Sequence, residues 1–321
     1  MNKIAVLTSG GDAPGMNAAV RAVVRVAKNY GLHVYGVERG WEGLIKGNIQ
    51  ELGTRSVSDM IHRGGTFLKT ARCPEFITIE GQKKVADTLE AYGIKGVIAI
   101  GGDGTFRGAR DLSNNFGIKC MGIPATIDND LAYTDYTIGF DTAVNTVISA
   151  INSLRDTMQS HDRVSLVEVM GRHCGDIALY ASIAGGAEYV LIPEKPYDLD
   201  EIAKSLIKSK LRGKTSNMII LAEGAGSRDE IIAYLNEKAG VDIKKTHLGH
   251  VQRGGSPSMA DRILATRFAI RAVEEIMKPN AVSCAIGIKD NKIKTFNFDK
   301  ALSCKKEVNE ELYNALKILS I

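Results

Sequence analysis

Short runs of aliphatic and β-branched residues alternate along this chain with stretches whose apolar positions recur at helical spacing. Residues 3–8 read as a strand, followed by a glycine-rich turn and an apolar helix from 17 to about 30. A second strand reads at 33–37. Residues 96–100 form an almost continuous apolar run, the pattern of a strand buried on both faces. A helix at 105–114 and a strand at 118–122 follow, then strands at 164–170, 189–192, 217–222 and 282–288 with helices between. That rhythm predicts an α/β fold of doubly wound, Rossmann-like parallel sheets with crossover helices. Such sheets bind ligands beyond the carboxyl ends of their strands, and glycine clusters fall there after Thr8, Ile100 and Met170.

At 321 residues the chain exceeds the size at which single cores stop growing, so two lobes are expected. Its hydrophobic fraction of 44% and charged fraction of 24% are ordinary for a soluble globular protein. A net charge of +4 is a modest excess that argues against a dedicated nucleic-acid binder, which would show a concentrated basic face, so no nucleic-acid partner is expected. No apolar run approaches the roughly 20 residues of a membrane span, and the run at 4–7 is too short for a signal peptide. The five cysteines are scattered and form no CxxC pair, which points to a reducing cytoplasm. No internal repeat or low-complexity linker marks a boundary. Lys204, Lys208, Lys210, Arg212 and Lys214 form a basic stretch whose first reading is a solvated helix face.

Three turns carry candidate chemistry. Thr8-Ser9-Gly10-Gly11-Asp12-Ala13-Pro14-Gly15 joins the first strand to the first helix. Glycines admit a phosphate close to the backbone, and the helix N-terminus offers N–H groups; a tight structural turn is the equal alternative. Gly101-Gly102-Asp103-Gly104-Thr105 follows a buried strand and opens a helix. A carboxylate beside nucleotide phosphates calls for an intervening cation, and Mg²⁺ held by Asp103 and phosphate oxygens meets that need. A helix cap would explain the aspartate but not three glycines around it. In Thr126-Ile127-Asp128-Asn129-Asp130, Asp128 suits a base taking a hydroxyl proton, with Asp130 arranging the cation or the loop. An Asx-turn competes with that reading.

Basic side chains cluster at other strand ends: Arg163, Arg172, and the loop His250-Val251-Gln252-Arg253. Arginine's planar fork grips phosphate oxygens in pairs, so together these suggest a sugar-phosphate pocket. Glu223, at the end of strand 217–222, could accept hydrogen bonds from sugar hydroxyls. Arg72 and Cys73 fall in a loop after Gly64-Gly65-Thr66, and Cys73 lacks any nucleophile context.

TSGGDAPGMNAA, RGGTFL, ARCPEF, GGDGT, TIDND, DYTIGFDTA, VEVMGR, AEG and LGHVQRGGSP occur in this order and at suitable intervals. Over almost its whole length the chain resembles the bacterial ATP-dependent 6-phosphofructokinases. The resemblance implies transfer of the γ-phosphoryl group of ATP to the 1-hydroxyl of fructose 6-phosphate. It implies two α/β domains with the active site in the cleft between them, and a homotetramer. The ATP-binding domain would comprise 1–139 plus 252–304, and the fructose-6-phosphate-binding domain 140–251 plus 305–321. Gly11, Arg72, Cys73, Gly102, Asp103, Gly104 and Thr105 match nucleotide positions, with Asp103 serving Mg²⁺. Thr126, Ile127, Asp128, Met170, Gly171, Arg172, Glu223, His250, Val251, Gln252 and Arg253 match sugar-phosphate positions. Arg163 matches a residue that reaches the 6-phosphate of a neighbouring subunit. Asp128 would be the base, with Arg72, Arg172 and Thr126 completing the catalytic set.

Some positions depart from the family pattern. Lys244 replaces the second cross-subunit arginine and loses its bidentate fork. Ala125 stands where glycine is usual. An effector site for ADP or phosphoenolpyruvate is matched by Arg21, Arg25, Arg155, Gly186, Glu188, Arg212 and Lys214. Thr54 and Thr215 replace an arginine and a lysine in it, which leaves regulation open. Pyrophosphate-dependent relatives tend to carry an aspartate at the position of Gly104 and a lysine at that of Ala125, so ATP is the expected donor. The presence of Asp103, Asp128 and Arg172 argues against a nucleotide sensor that has lost catalysis. A Rossmann dehydrogenase is disfavoured, since residues 102–108 run one residue too long for its fingerprint.

Overall fold

The structure is a computed structural model that describes residues 2–161, 163–214 and 216–319. In chain order the elements begin with β1 (Lys3–Thr8), α1 (Met16–Asn29), β2 (His33–Val37), α2 (Gly40–Lys46) and β3 (Ile49–Leu52). Then come α3 (Ile79–Ala91), β4 (Gly96–Gly101), α4 (Asp103–Phe116), β5 (Lys119–Pro124) and α5 (Phe140–His161). The middle of the chain supplies β6 (Val164–Val169), α6 (Asp176–Gly185), β7 (Tyr189–Leu191), α7 (Leu199–Leu211) and β8 (Asn217–Ala222). After these follow α8 (Arg228–Ala239), β9 (Ile243–His247), α9 (Met259–Met277), β10 (Cys284–Lys289) and β11 (Lys292–Phe296). The chain closes with α10 (Phe298–Ser303) and α11 (Glu310–Leu319).

Two compact units divide these elements. One holds Met1–Ile127, Leu131–Thr142 and Arg253–Lys305; the other holds Asp128–Asp130, Ala143–Gln252 and Lys306–Ile321. The sequence reading kept residues 128–130 with the first segment, whereas the contacts group them with the second unit.

The first unit is built on a seven-stranded sheet in the order β11-β10-β5-β4-β1-β2-β3. Its inner strands are parallel, as the apolar runs predict. The edges differ from that expectation, because β3 and β11 both pair antiparallel. β11 arises from a two-residue hairpin at Asp290 (φ 53°) and Asn291 (φ 58°), residue types that accept the left-handed conformation such turns need. Ala5, Leu7, Val97 and Ala99 point into one core with Trp41, Phe76, Leu89, Phe106 and Leu112. α1 and α9 pack on each other, and α9 also on β4, β5 and β10.

Chain order reverses direction at β1: the chain goes first to β2 on one side and later to β4 on the other. A crevice opens at such a switch point, and the turns after Thr8 and Gly101 flank it.

The second unit has a parallel four-stranded sheet, β7-β8-β6-β9. Leu166, Ile219 and Leu221 share a core with Leu206 of α7 and Leu235 of α8. Here the switch lies between β6 and β9, so the turns after Val169 and His247 flank the second crevice. Among the described residues no helix is long and apolar enough to cross a membrane.

Candidate active site

In the first unit, the turn after β1 is fastened from several sides. Ser9 N–H donates to Ile100 O at 3.0 Å, and the buried hydroxyl of Thr105 donates to Ser9 O at 3.0 Å. A methyl group at Gly101 would stand 2.3 Å from Ser9 O, so only glycine lets the two turns lie this close. Gly11 faces Arg253, whose guanidinium donates to Asp12 O at 3.2 Å. Asn17 is buried and ties in the segment that leads to Arg72. Its amide donates to Gly64 O at 3.0 Å and accepts from Phe67 N–H at 2.8 Å. Thr70 Oγ1 donates to Gly10 O at 2.6 Å. Arg72 is exposed and carries no ion pair among the described residues. Cys73 is half-buried and burial raises its thiol pKa, so it packs as a thiol rather than acting as a nucleophile.

α4 begins at Asp103, earlier than the sequence reading, so this carboxylate sits in the first turn where the helix dipole favours negative charge. Arg107, one turn on, donates to it from Nε at 2.7 Å and from Nη2 at 3.2 Å. Both partners are well exposed, so this pair is worth at most about 1 kcal/mol and yields readily to a cation. Around Gly104 the space is open: beyond its chain neighbours and the adjoining backbone of α4, no heavy atom of the described residues lies within 4 Å of where a side chain would begin.

β5 runs on to Pro124, and Gly101 and Pro124 stand side by side at the ends of adjacent strands. Ala125 N–H then donates to Gly101 O at 3.0 Å, and Ala125 and Ile127 are fully buried. Thr137 Oγ1 donates to Thr126 O at 2.7 Å. Asp128 is only 3% exposed, and Asn129 adopts the left-handed conformation at φ 51°.

In the second unit, the turn after β6 also uses left-handed backbone, at Gly171 (φ 140°) and Arg172 (φ 53°). Glu223 holds it. One carboxylate oxygen accepts the N–H groups of Gly171 at 3.2 Å and Arg172 at 2.8 Å. Sequence reasoning gave Glu223 to sugar hydroxyls, and nothing in the sequence signalled this second job. Gln252 is fully buried and spent on the backbone: it accepts from Met170 N–H at 3.2 Å and donates to Gly249 O at 3.0 Å. His250 and Val251 are exposed on the same short turn as Gln252, and Arg172 is exposed on the turn after β6.

A sequence profile of the phosphofructokinase family matches residues 3–276. The chain belongs to the phosphofructokinase family. It is 56% identical over 320 residues to an ATP-dependent 6-phosphofructokinase of Clostridium botulinum, covering 100% of both chains. Identity is 57% to the enzyme of that name from Clostridium novyi, with the same coverage. Among solved structures, the phosphofructokinase of Saccharomyces cerevisiae superposes with a TM-score of 0.91 at 35% identity over 100% of this chain. The chain spans about half the length of that yeast chain, 48%. A pyrophosphate-dependent phosphofructokinase of Marinobacter aquaeolei shares the fold, with a TM-score of 0.86 at 20% identity, over 97% of this chain and 86% of that one.

Within this member of the family, Arg163 and Lys244 lie apart from Arg172 and Glu223. Val164 pairs with Ile243 and Ser165 with Lys244, which puts both cations at the amino ends of β6 and β9. Six-residue β6 separates that edge from Met170, a distance of about 20 Å along the strand. Lys244 pairs with Asp242 at 2.7 Å in solvent. Of the effector positions, Arg155 donates to Gly185 O at 3.0 Å and also to Gly186 O. Lys214 pairs with Glu188 at 3.1 Å, and Glu188 also accepts from Met218 N–H at 2.6 Å. Arg21 and Arg25 both belong to α1, where burial and then the charge of Arg25 lower the pKa of Arg21. Arg212 caps the C-terminus of α7, Thr54 sits exposed in a turn, and Thr215 lies outside the described residues.

Proposed function

We propose that this chain is an ATP-dependent 6-phosphofructokinase that transfers the γ-phosphoryl group of ATP to the 1-hydroxyl of fructose 6-phosphate. The observation that carries this reading is full-length identity above half to relatives of that name, together with open space at Gly104 beside Asp103. We assign the first unit to the nucleotide and the second to the sugar phosphate. Gly11, Gly102, Gly104 and Thr105 offer backbone at a β-sheet switch point, with Arg72 and Cys73 on the tethered loop that follows. Met170, Gly171, Arg172, Glu223, His250 and Arg253 are assigned to the sugar phosphate. Asp128 takes the hydroxyl proton, while Arg72 and Arg172 offset charge on the moving phosphoryl group.

Asp103 fits Mg²⁺. Among the described residues no three His, Cys, Asp or Glu side chains form a cage, and one half-exposed carboxylate suits an ion that arrives on phosphate oxygens. When bound, Mg²⁺ supplies positive charge to the phosphoryl oxygens. Arg163 and Lys244 are assigned to the 6-phosphate of a neighbouring subunit in a homotetramer; their place at the strand edge remote from Met170 supports this. The effector residues are assigned to ADP or phosphoenolpyruvate, and the cytoplasm is proposed as the compartment, in keeping with five free thiols.

The test is a coupled assay with ATP or pyrophosphate as donor and a panel of sugar phosphates as acceptor. ATP with fructose 6-phosphate is expected to give the fastest turnover. Faster turnover with pyrophosphate overturns the donor, and faster turnover with another sugar phosphate overturns the acceptor.

A further inference from the structure

Asn129, between Asp128 and Asp130, is fully buried at φ 51°, a left-handed conformation that asparagine tolerates better than most residues with a side chain. A buried amide also needs hydrogen-bond partners. Its amide Nδ2 donates to Asp176 Oδ2 at 2.8 Å. The same oxygen receives the ammonium of Lys306 at 3.0 Å. Asp176 is itself only 5% exposed.

Asp176 opens α6, and its bland role would be to satisfy the helix N-terminus. Its Oδ2 is directed elsewhere, to Asn129 and Lys306, and the residue preceding α6, Gly175, has no side chain. The turn into α6 is held by a different carboxylate, Glu194, which accepts Gly175 N–H at 2.8 Å. Asp176 is thus directed at the 128–130 loop. A buried carboxylate requires a compensating charge, and Lys306 supplies it from a remote part of the sequence. Two side chains close together, Asp176 and Lys306, form a base plate on which Asn129 rests.

We infer that Asp176 and Lys306 are positioning residues of the reaction, fixing the loop that presents Asp128 through the side chain of Asn129. This rests on the proposed phosphofructokinase activity with Asp128 as base. A proton acceptor works only within hydrogen-bond reach of its hydroxyl, and displacement by about 1 Å costs about 10²-fold in rate. The nucleotide residues lie on other segments, so loosening the loop should lower kcat and spare the KM for ATP.

The test compares wild type, Asn129→Gly, Asp176→Asn, the double variant, Lys306→Ala and Lys306→Arg by steady-state kinetics and thermal unfolding. Glycine accepts φ 51° and removes the amide that bonds Asp176. Asn129→Gly is expected to lower kcat about 10- to 100-fold with KM for ATP within about twofold of wild type. The double variant should be little worse than Asn129→Gly alone, because both break one linkage. Lys306→Ala should lower kcat and Lys306→Arg restore most of it. Unchanged kcat in Asn129→Gly, additive losses in the double variant, or equal losses in kcat and ATP affinity would overturn the proposal. If Asn129→Gly fails to fold, the more accessible Lys306 pair decides: equal kcat in Ala and Arg variants overturns it. Absence of turnover by wild type with ATP and fructose 6-phosphate would instead remove the parent reading.

Discussion

Glu223 accepts the backbone N–H of Arg172 at 2.8 Å, and Arg172 is in the left-handed conformation at that point. The carboxylate therefore sets the direction of a guanidinium assigned to the phosphoryl group, besides any contact it makes with sugar. Hydrogen bonds to charged groups contribute about 1.5–3 kcal/mol, equivalent to about 10- to 100-fold. Glu223→Ala is expected to raise KM for fructose 6-phosphate by about that factor and to lower kcat as Arg172 loses its orientation. Steady-state kinetics checks it; a variant that changes KM but leaves kcat intact would confine Glu223 to sugar binding.

Asp128 is almost completely buried on the loop that follows β5. Replacing it by serine removes the proposed proton acceptor and leaves a small polar group in the space. Asp128→Ser should lower kcat by about 10²–10⁴ and leave fructose 6-phosphate binding, read by calorimetry, largely intact. A kcat near that of wild type would move the base to another residue.

Legibility in the sequence followed burial. Strands β1 and β8 stand where their apolar runs put them, because a strand covered on both faces must be apolar throughout. β3, β9 and β11 escaped, since Ile-Gln-Glu-Leu, Ile-Lys-Lys-Thr-His and Lys-Ile-Lys-Thr-Phe carry the lysines and polar residues of protected sheet edges. α4 starts before Thr105 because Asp103 is a good first-turn residue, a signal outweighed by the glycines beside it. The glycine turns betrayed the switch points. What no local pattern disclosed were pairings of remote residues: Asn129 with Asp176, Glu223 with the Arg172 backbone, Asn17 with Gly64, and Asp261 with Thr142.

Gly104 tests the choice of donor. Because nothing beyond its chain neighbours and the adjoining backbone of α4 lies within 4 Å of its missing side chain, Gly104→Asp should fold normally. A second carboxylate in the first turn of α4 even suits the helix dipole. Beside bound nucleotide it would add negative charge and bulk, so KM for ATP should rise at least about tenfold, one 1.4 kcal/mol step, with melting temperature unchanged or slightly raised. Normal ATP affinity in a folded variant would mean that position 104 does not face the phosphates.

Arg163 and Lys244 share the amino end of the strands, opposite Met170, and are proposed to meet the phosphate of another subunit. Co-expressed Arg163→Ala and Asp128→Ala chains should then form hybrids that turn over low concentrations of fructose 6-phosphate better than either parent. Hybrids no better than the mixed, separately purified parents would return Arg163 to its own chain. Lys244→Arg gains a planar fork and is expected to lower KM for fructose 6-phosphate; an unchanged or raised value would show that charge alone suffices there.

Asp261 offers a prediction away from the chemistry. From α9 its carboxylate reaches the start of α5, accepting Gly139 N–H at 2.8 Å, Thr142 N–H at 2.9 Å and the Thr142 hydroxyl at 2.5 Å. Burial pushes its pKa up from 3.8 to about 6, only partly opposed by those hydrogen bonds. The folded chain therefore keeps a proton that the unfolded chain has already released between these values. The resulting stabilisation is full below pH 3.8 and is lost as pH rises through about 6. Asp261→Asn cannot titrate and places an NH₂ group against donors, so it should lower stability at every pH, by about 1–3 kcal/mol at neutrality. Its deficit relative to wild type should be larger at pH 4 than at pH 7, because only wild type has the protonation bonus at the acid end. Thermal unfolding of both proteins across that range measures the difference directly, and a deficit that grows toward neutral pH would mean that the carboxylate titrates below its unfolded value.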